Sequence, residues 1–189
     1  MPSKAQNAKP DTETPFLNIS DFEPKASRNL EVLRYWQSIQ KGRQMPQWPD
    51  FDPLNIASHL SCCLIVEFEA PDFLHVRLMG DKLVEWLGVE FTGKNALDIM
   101  DAAEHEDLVE RIKVMLGTPA LIRSVSLLQA DLFDTLITEL VVMPFAPDGG
   151  TIQRGLITNA RIDTGYIPSY QRQASMSGRK RLELEYITL

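Results

Sequence analysis

A chain of 189 residues, 44% hydrophobic and carrying a formal net charge of −7, can bury one good core, which favours a single domain with appendages. No run of residues approaches the roughly 18 consecutive apolar positions that a membrane span requires. The opening MPSKAQNAKPDTETP has no apolar stretch behind its lysines, so it does not read as a secretory signal, and a cytoplasmic location is the simplest reading.

The charge is unevenly spread. Residues 44–160 hold 7 Lys or Arg against 18 Asp or Glu, whereas residues 1–43 (7 against 5) and 161–189 (5 against 3) are each +2. An acidic body lacks the positive face that displaces counterions from a duplex, so nucleic acid is excluded as the main partner. The two cysteines, Cys62 and Cys63, are adjacent in an apolar run and supply no disulfide framework.

Residues 1–26 read as a disordered arm, polar and interrupted by Pro2, Pro10 and Pro15. From Ser27 a helix is signalled by Leu30, Leu33, Trp36 and Ile39 on one stripe, with Gly42 placed to end it. That stripe must be covered either by the chain's own sheet or by the same helix of a second subunit. These four residues are therefore the candidate interaction surface, and a homodimer is the expected partner. Pro46, Pro49 and Pro53 then impose a stiff connector, and Asp52 before Pro53 reads as the cap of a brief helix ending near Leu60.

Cys62 to Phe68 and Phe73 to Met79 read as a first antiparallel hairpin turned by Ala70, Pro71 and Asp72. In the second strand Leu74, Val76 and Leu78 alternate with His75 and Arg77. Gly80 ends it, Asp81 is the expected N-cap of a short helix carrying Leu83, Val84, Trp86 and Leu87, and Gly88 is the expected left-handed terminator. A turn over Asn95 to Met100 and a helix over Glu104 to Leu116 follow, the latter with Leu108, Ile112 and Met115 on one face. The acidic residues around its start suit the helix dipole. Strands are expected over Ala120–Gln129, Asp134–Phe145 and Thr151–Ile162, the last two joined by the turn sequence APDGG. The domain thus spans residues 27–162, and residues 163–189 form a C-terminal tail in which Leu182, Leu184, Tyr186 and Ile187 could add a late helix or strand. Two strands, a helical insert and three strands specify an α+β domain with helices on one face of an antiparallel sheet.

No GxGxxG, GxxxxGK[ST], HExxH or GxSxG motif occurs, and adjacent cysteines cannot chelate zinc as a spaced pair does. No catalytic residue and no metal ligand is assigned.

Three pieces, LRYWQSIQKGRQMP leading to DFDPLNI, VRLMGDKLVEWLGVEFTGK, and ELVVMPFAPDGGTIQRGLI, occur in an order and spacing that resemble a family of small, mostly stand-alone PAS-like proteins of alphaproteobacteria, a family of unknown function. The resemblance implies a five-stranded antiparallel PAS-like sheet with a helical insert between its second and third strands and an N-terminal flanking helix. It implies a small-ligand cavity between insert and sheet, for which Trp86, Phe91, Leu97 and Met115 are the candidate lining. It carries over no catalytic motif and no cofactor: Cys62 and Cys63 lie outside the helical position that flavin photosensors use, and His105, the one insert histidine, reads as exposed rather than as a haem ligand. The expected function is a non-enzymatic sensory or adaptor domain working through protein contacts with a signalling partner and modulated by a small ligand. The rival readings are a small enzyme acting on an apolar metabolite, with Asp98, Glu139 or His105 as its ionisable group, and a haem sensor.

Overall fold

The computed structural model describes residues 16–100, 102–129, 135–147, 150–162 and 179–189. Its strands are β1 (Phe16–Asn18), β2 (Cys63–Ala70), β3 (Phe73–Met79), β4 (Ala120–Gln129), β5 (Thr135–Phe145), β6 (Arg154–Arg161) and β7 (Arg179–Thr188), and its α-helices are α1 (Ser27–Ser38), α2 (Asp81–Leu87) and α3 (Ala102–Gly117). Short 3-10 helices occupy Ile19–Asp21, Trp48–Asp50, Pro53–Cys62 and Ala96–Ile99. The strands form one sheet in the order β1-β7-β4-β5-β6-β2-β3, antiparallel throughout except for the parallel pair β1 and β7.

Five neighbouring strands, β4-β5-β6-β2-β3, are those the sequence predicts, and the sheet has two more beyond β4. β7 pairs with β4 along its whole length, and β1 pairs with the end of β7. β7 is hard to read in isolation because its acidic residues, Glu183 and Glu185, are matched by Arg123 some sixty residues earlier. The sequence reading puts the helices on one face, but they cover both.

Every central strand feeds both faces. Ile65, Leu121, Val141, Leu156 and Ile187 enter the core shared with α1, while their neighbours Val66, Ile122, Val142, Ile157 and Tyr186 enter the core shared with α2 and α3. This is the period of two expected of a strand buried on both sides, and it fixes the register, since a one-residue slip would exchange the two cores. Leu78 departs from the alternation expected for β3. Pairing passes from Ile65–Leu78 to Val66–Val76, which leaves Arg77 as an extra residue. The bulge turns Leu78 to the α1 core while Leu74, Val76 and Met79 remain in the other.

Local signals hold at several ends. Asp52 Oδ1 accepts from the Leu54 N–H at 2.9 Å, and Gly88 closes α2 at φ 68° with its N–H on Val84 O at 2.8 Å. The N-cap of α2 is Gly80 rather than Asp81, and the reason is space. The Gly80 N–H bonds Cys63 O, and a Cβ on Gly80 would stand 2.2 Å from Leu60 O and 2.4 Å from the Ser61 carbonyl. Backbone, not a flexible side chain, fills that room. Gly80→Ala is expected to destabilise the fold by about 3 kcal/mol, the upper end of overpacking, and Gly88→Ala by about 1–2 kcal/mol of left-handed strain. Urea melts of the two variants give the ranking.

Candidate functional site

The insert is seated on the sheet by the loop between α2 and α3. Gly93 N–H donates to Val76 O at 2.8 Å and Val76 N–H to Lys94 O at 3.0 Å, so the loop extends the sheet beyond the edge strand β3. Asn95 then serves twice: its Oδ1 accepts from Leu74 N–H at 3.0 Å and from Leu97 N–H at 3.2 Å, which caps the 3-10 helix while tying it to β3. This clamp sets Phe91 and Leu97 on either side of Asn95. Leu97 and Met115 are buried with Leu83, Ile112 and Ala120, and Trp86 and Phe91 are half-buried against the same cluster. The four residues chosen as candidate lining are thus gathered into one apolar cluster beneath α2 and α3.

On the opposite face α1 buries Val32, Leu33 and Trp36 against β2, β5 and β6, and the Trp36 indole N–H donates to Pro144 O at 3.0 Å. The sheet of the same chain covers the centre of the predicted stripe. Its ends, Leu30 and Ile39, are half-buried.

A buried polar network ties the start of α1 to the sheet. Glu139 on β5 is fully buried; its Oε1 accepts from Lys25 N–H at 3.0 Å and from Arg123 Nε at 2.6 Å, and its Oε2 from Ala26 N–H at 2.9 Å and Asn29 Nδ2 at 3.1 Å. Asn29 Nδ2 also donates to Glu139 O at 2.8 Å, and Asn29 Oδ1 accepts from Thr158 on β6 at 3.0 Å. Arg123 Nη1 reaches Glu183 at 2.8 Å and Glu185 at 2.9 Å on β7. Burial works against the Arg123 charge, but the bonds to these three carboxylates hold its pKa above the ordinary arginine value. Burial likewise raises Glu183, and the bonds from Lys25 and Arg123 more than offset it, leaving its pKa low. Ala26, the N-cap of α1, has no side chain to cap the helix, so Glu139 supplies that carboxylate from the sheet.

Of the three ionisable residues nominated for an enzyme, Glu139 therefore faces α1 and is saturated with donors, away from the insert. Asp98 is exposed and accepts from Asn95 Nδ2 at 3.1 Å, and His105 lies on α3, half-buried. Cys62 and Cys63 are free and buried, and burial pushes the Cys63 thiol up to about 12. His75 and Arg77 pair with glutamates of β2: His75 Nδ1 lies 3.3 Å from Glu69, and Arg77 bonds Glu67 at 2.6 Å. Neither Asn29 nor Arg123 is among the candidate residues that the sequence singles out. The available signal was a lone arginine and a lone glutamate inside two strands otherwise apolar enough to be buried on both faces.

The described residues contain no helix long and apolar enough to cross a membrane. No curated protein matches the chain. Among solved structures, the light-state structure of the blue-light photoreceptor Aureochrome1 LOV is similar at 13% identity and a TM-score of 0.41, over 55% of this chain and 83% of that one. The PAS domain of an HTR-like protein from Haloarcula marismortui is similar at 14% identity and a TM-score of 0.37, over 72% of this chain and all of that one. A family model described as PAS domain matches residues 24–157, most of the chain and a span that runs from the α1 anchor through the insert to β6. The chain belongs to the PAS-domain family, whose modules are sensory and signalling.

Proposed function

We propose that the chain is a non-enzymatic sensory or adaptor domain in which a small apolar ligand, taken up among Trp86, Phe91, Leu97 and Met115, shifts the seating of α1 and so alters contacts with a signalling partner or a second copy. The observation that carries this reading is the single sheet between two cores: adjacent residues of five strands pack against the insert on one side and α1 on the other. A repacking on the insert side displaces strands that α1 also rests on, because close-packed interiors transmit strain instead of absorbing it. Ligand binding then acts as a population shift between two seatings of α1.

The chain purified without added ligand tests the proposal. Denaturing extraction followed by mass spectrometry is expected to release a small apolar molecule, and returning that molecule to stripped protein should raise its melting temperature. No releasable molecule, together with amide signals of the insert that a library of apolar fragments leaves unmoved, would remove the ligand from the account. Conversion of the returned molecule to a product would replace the sensor with the enzyme reading.

A further inference from the structure

The side of the sheet that faces the insert has a polar floor at its centre. Strand alternation puts Ser124 of β4 and Asn159 of β6 there: Arg123, Val125, Thr158 and Ala160 turn to the α1 side, whereas Ile122 and Ile157 pack in the insert cluster. Pairing sets the two on either side of Leu140 on β5, the middle strand of seven. Ser124 is fully buried and Asn159 is 7% exposed, yet Ser124 Oγ and Asn159 Oδ1 have no hydrogen-bond partner among the described residues. Leu140 between them keeps accessible surface, so the covering of the sheet is incomplete at this point. One row back along the strands the floor is apolar, with Ile122, Val142 and Ile157; one row on it is Ser126 and Thr138, both buried. Buried hydroxyl and amide oxygens without a partner are rare, because each has given up its hydration for nothing. Two of them beside an incompletely covered point make this floor a receptor for a hydrogen-bonding group.

We infer that the ligand proposed for the insert cluster carries a neutral hydrogen-bonding head, an amide or a hydroxyl, that lies over Leu140 and bonds Asn159 and Ser124, with its apolar body toward Ile122, Val142, Leu97 and Met115. The inference rests on that reading of the cluster and adds the chemistry of one end of the ligand. Neighbouring strands lie about 5 Å apart, so a head over Leu140 is one strand spacing from each partner. An amide suits the pair best, because the Asn159 side chain offers both a donor and an acceptor and the Ser124 hydroxyl can serve as either. The head is neutral because Ser124 and Asn159 are neutral, and the charges that α3 and β7 bring to this side, Asp107, Arg111 and Arg181, are bonded to one another. Neither orphaned oxygen is open to water as packed, so the head reaches them as the insert repacks, and its bonds favour the repacked state.

The test titrates the whole chain with benzamide, with fluorobenzene and benzoate as the ring-only and charged-head controls. Two-dimensional NMR follows the Trp86 indole N–H and the Asn159 side-chain amide, the latter assigned by its loss in Asn159→Leu. Benzamide is expected to shift both saturably at millimolar concentration and to bind at least tenfold more tightly than either control. Asn159→Leu is expected to weaken benzamide at least tenfold, equivalent to about 1.4 kcal/mol, and to leave fluorobenzene unchanged. Ser124→Ala, the gentler change, is expected to weaken benzamide and, without any probe, to raise the melting temperature by about 2–4 °C through loss of one orphaned hydroxyl. Fluorobenzene binding as tightly as benzamide, with neither substitution altering either, would overturn the polar head and leave the ligand reading of the cluster standing. Benzoate binding as tightly as benzamide would overturn its neutrality. A lower melting temperature in Ser124→Ala would show the hydroxyl already bonded within the fold and would count against the head as well. A Trp86 signal that none of the three probes moves would overturn the head and the ligand reading together.

Discussion

Glu139→Ala is expected to lower the unfolding free energy by about 3–5 kcal/mol, the cost of leaving a buried charge without its partner, and to free the start of α1. The substitution removes the acceptor of four donors at once: Lys25 N–H, Ala26 N–H, Asn29 Nδ2 and Arg123 Nε. Arg123 keeps Glu183 and Glu185, so part of its charge stays compensated and the loss should not exceed that range. Replacing both members with apolar residues of similar volume, as in Arg123→Met with Glu139→Leu, separates the two jobs Glu139 performs. A buried ion pair can often be exchanged for apolar packing at little cost. Here the backbone N–H groups of Lys25 and Ala26 would still lack their acceptor, so the double variant should recover only part of the loss. Urea midpoints at constant m-value measure both. Full recovery would mean that Glu139 matters only to Arg123 and not to the seating of α1.

The second large effect is expected at Trp36. It is fully buried between α1 and the sheet, and its indole donates to Pro144 O at 3.0 Å. Trp36→Ala should cost about 3–5 kcal/mol, from lost transfer energy and the cavity left behind, and it orphans a carbonyl on β5 as well. Against a typical total of about 5–15 kcal/mol, this comes close to unfolding the domain. Leu30→Ala and Ile39→Ala, at the half-buried ends of the same stripe, should cost less than half as much. A flat profile across the stripe would mean that α1 is loosely held and that its covering lies elsewhere.

These two residues also show what could be read from the sequence and what could not. The stripe of Leu30, Leu33, Trp36 and Ile39 identifies a helix with an apolar face, because the period of that face is local information. Whether the face meets the chain's own sheet is decided by β5 and β6, more than a hundred residues away in the chain, and the sequence leaves it open. Asp52 and Gly88 were legible because a cap acts within a few residues of itself. Gly80 was legible as a strand end but not as the cap, since its constraint comes from the backbone of Leu60 and Ser61. The face of Leu78 depended on a bulge that only the pairing with β2 creates. Trp86, Phe91, Leu97 and Met115 were placed together by the resemblance to PAS-like proteins, which implies that the insert packs on the sheet. Glu139, by contrast, was nominated as a reacting group, and the donors that occupy it come from residues 25, 26, 29 and 123, a set no local pattern announces.

The three tryptophans fall on the two sides of the sheet: Trp86 against the insert cluster, and Trp36 in the α1 core with Trp48 packed against its rim. Their indole N–H signals therefore give a direct test of coupling across the sheet. Leu97→Ala opens space beneath the insert without touching α1. If the sheet couples its two faces, the Trp36 indole signal should shift or split in this variant along with that of Trp86, because α1 reseats when the strands beneath it repack. A Trp36 signal identical to that of the unaltered chain, with Trp86 alone displaced, would contradict the account and leave the insert and α1 as independent neighbours.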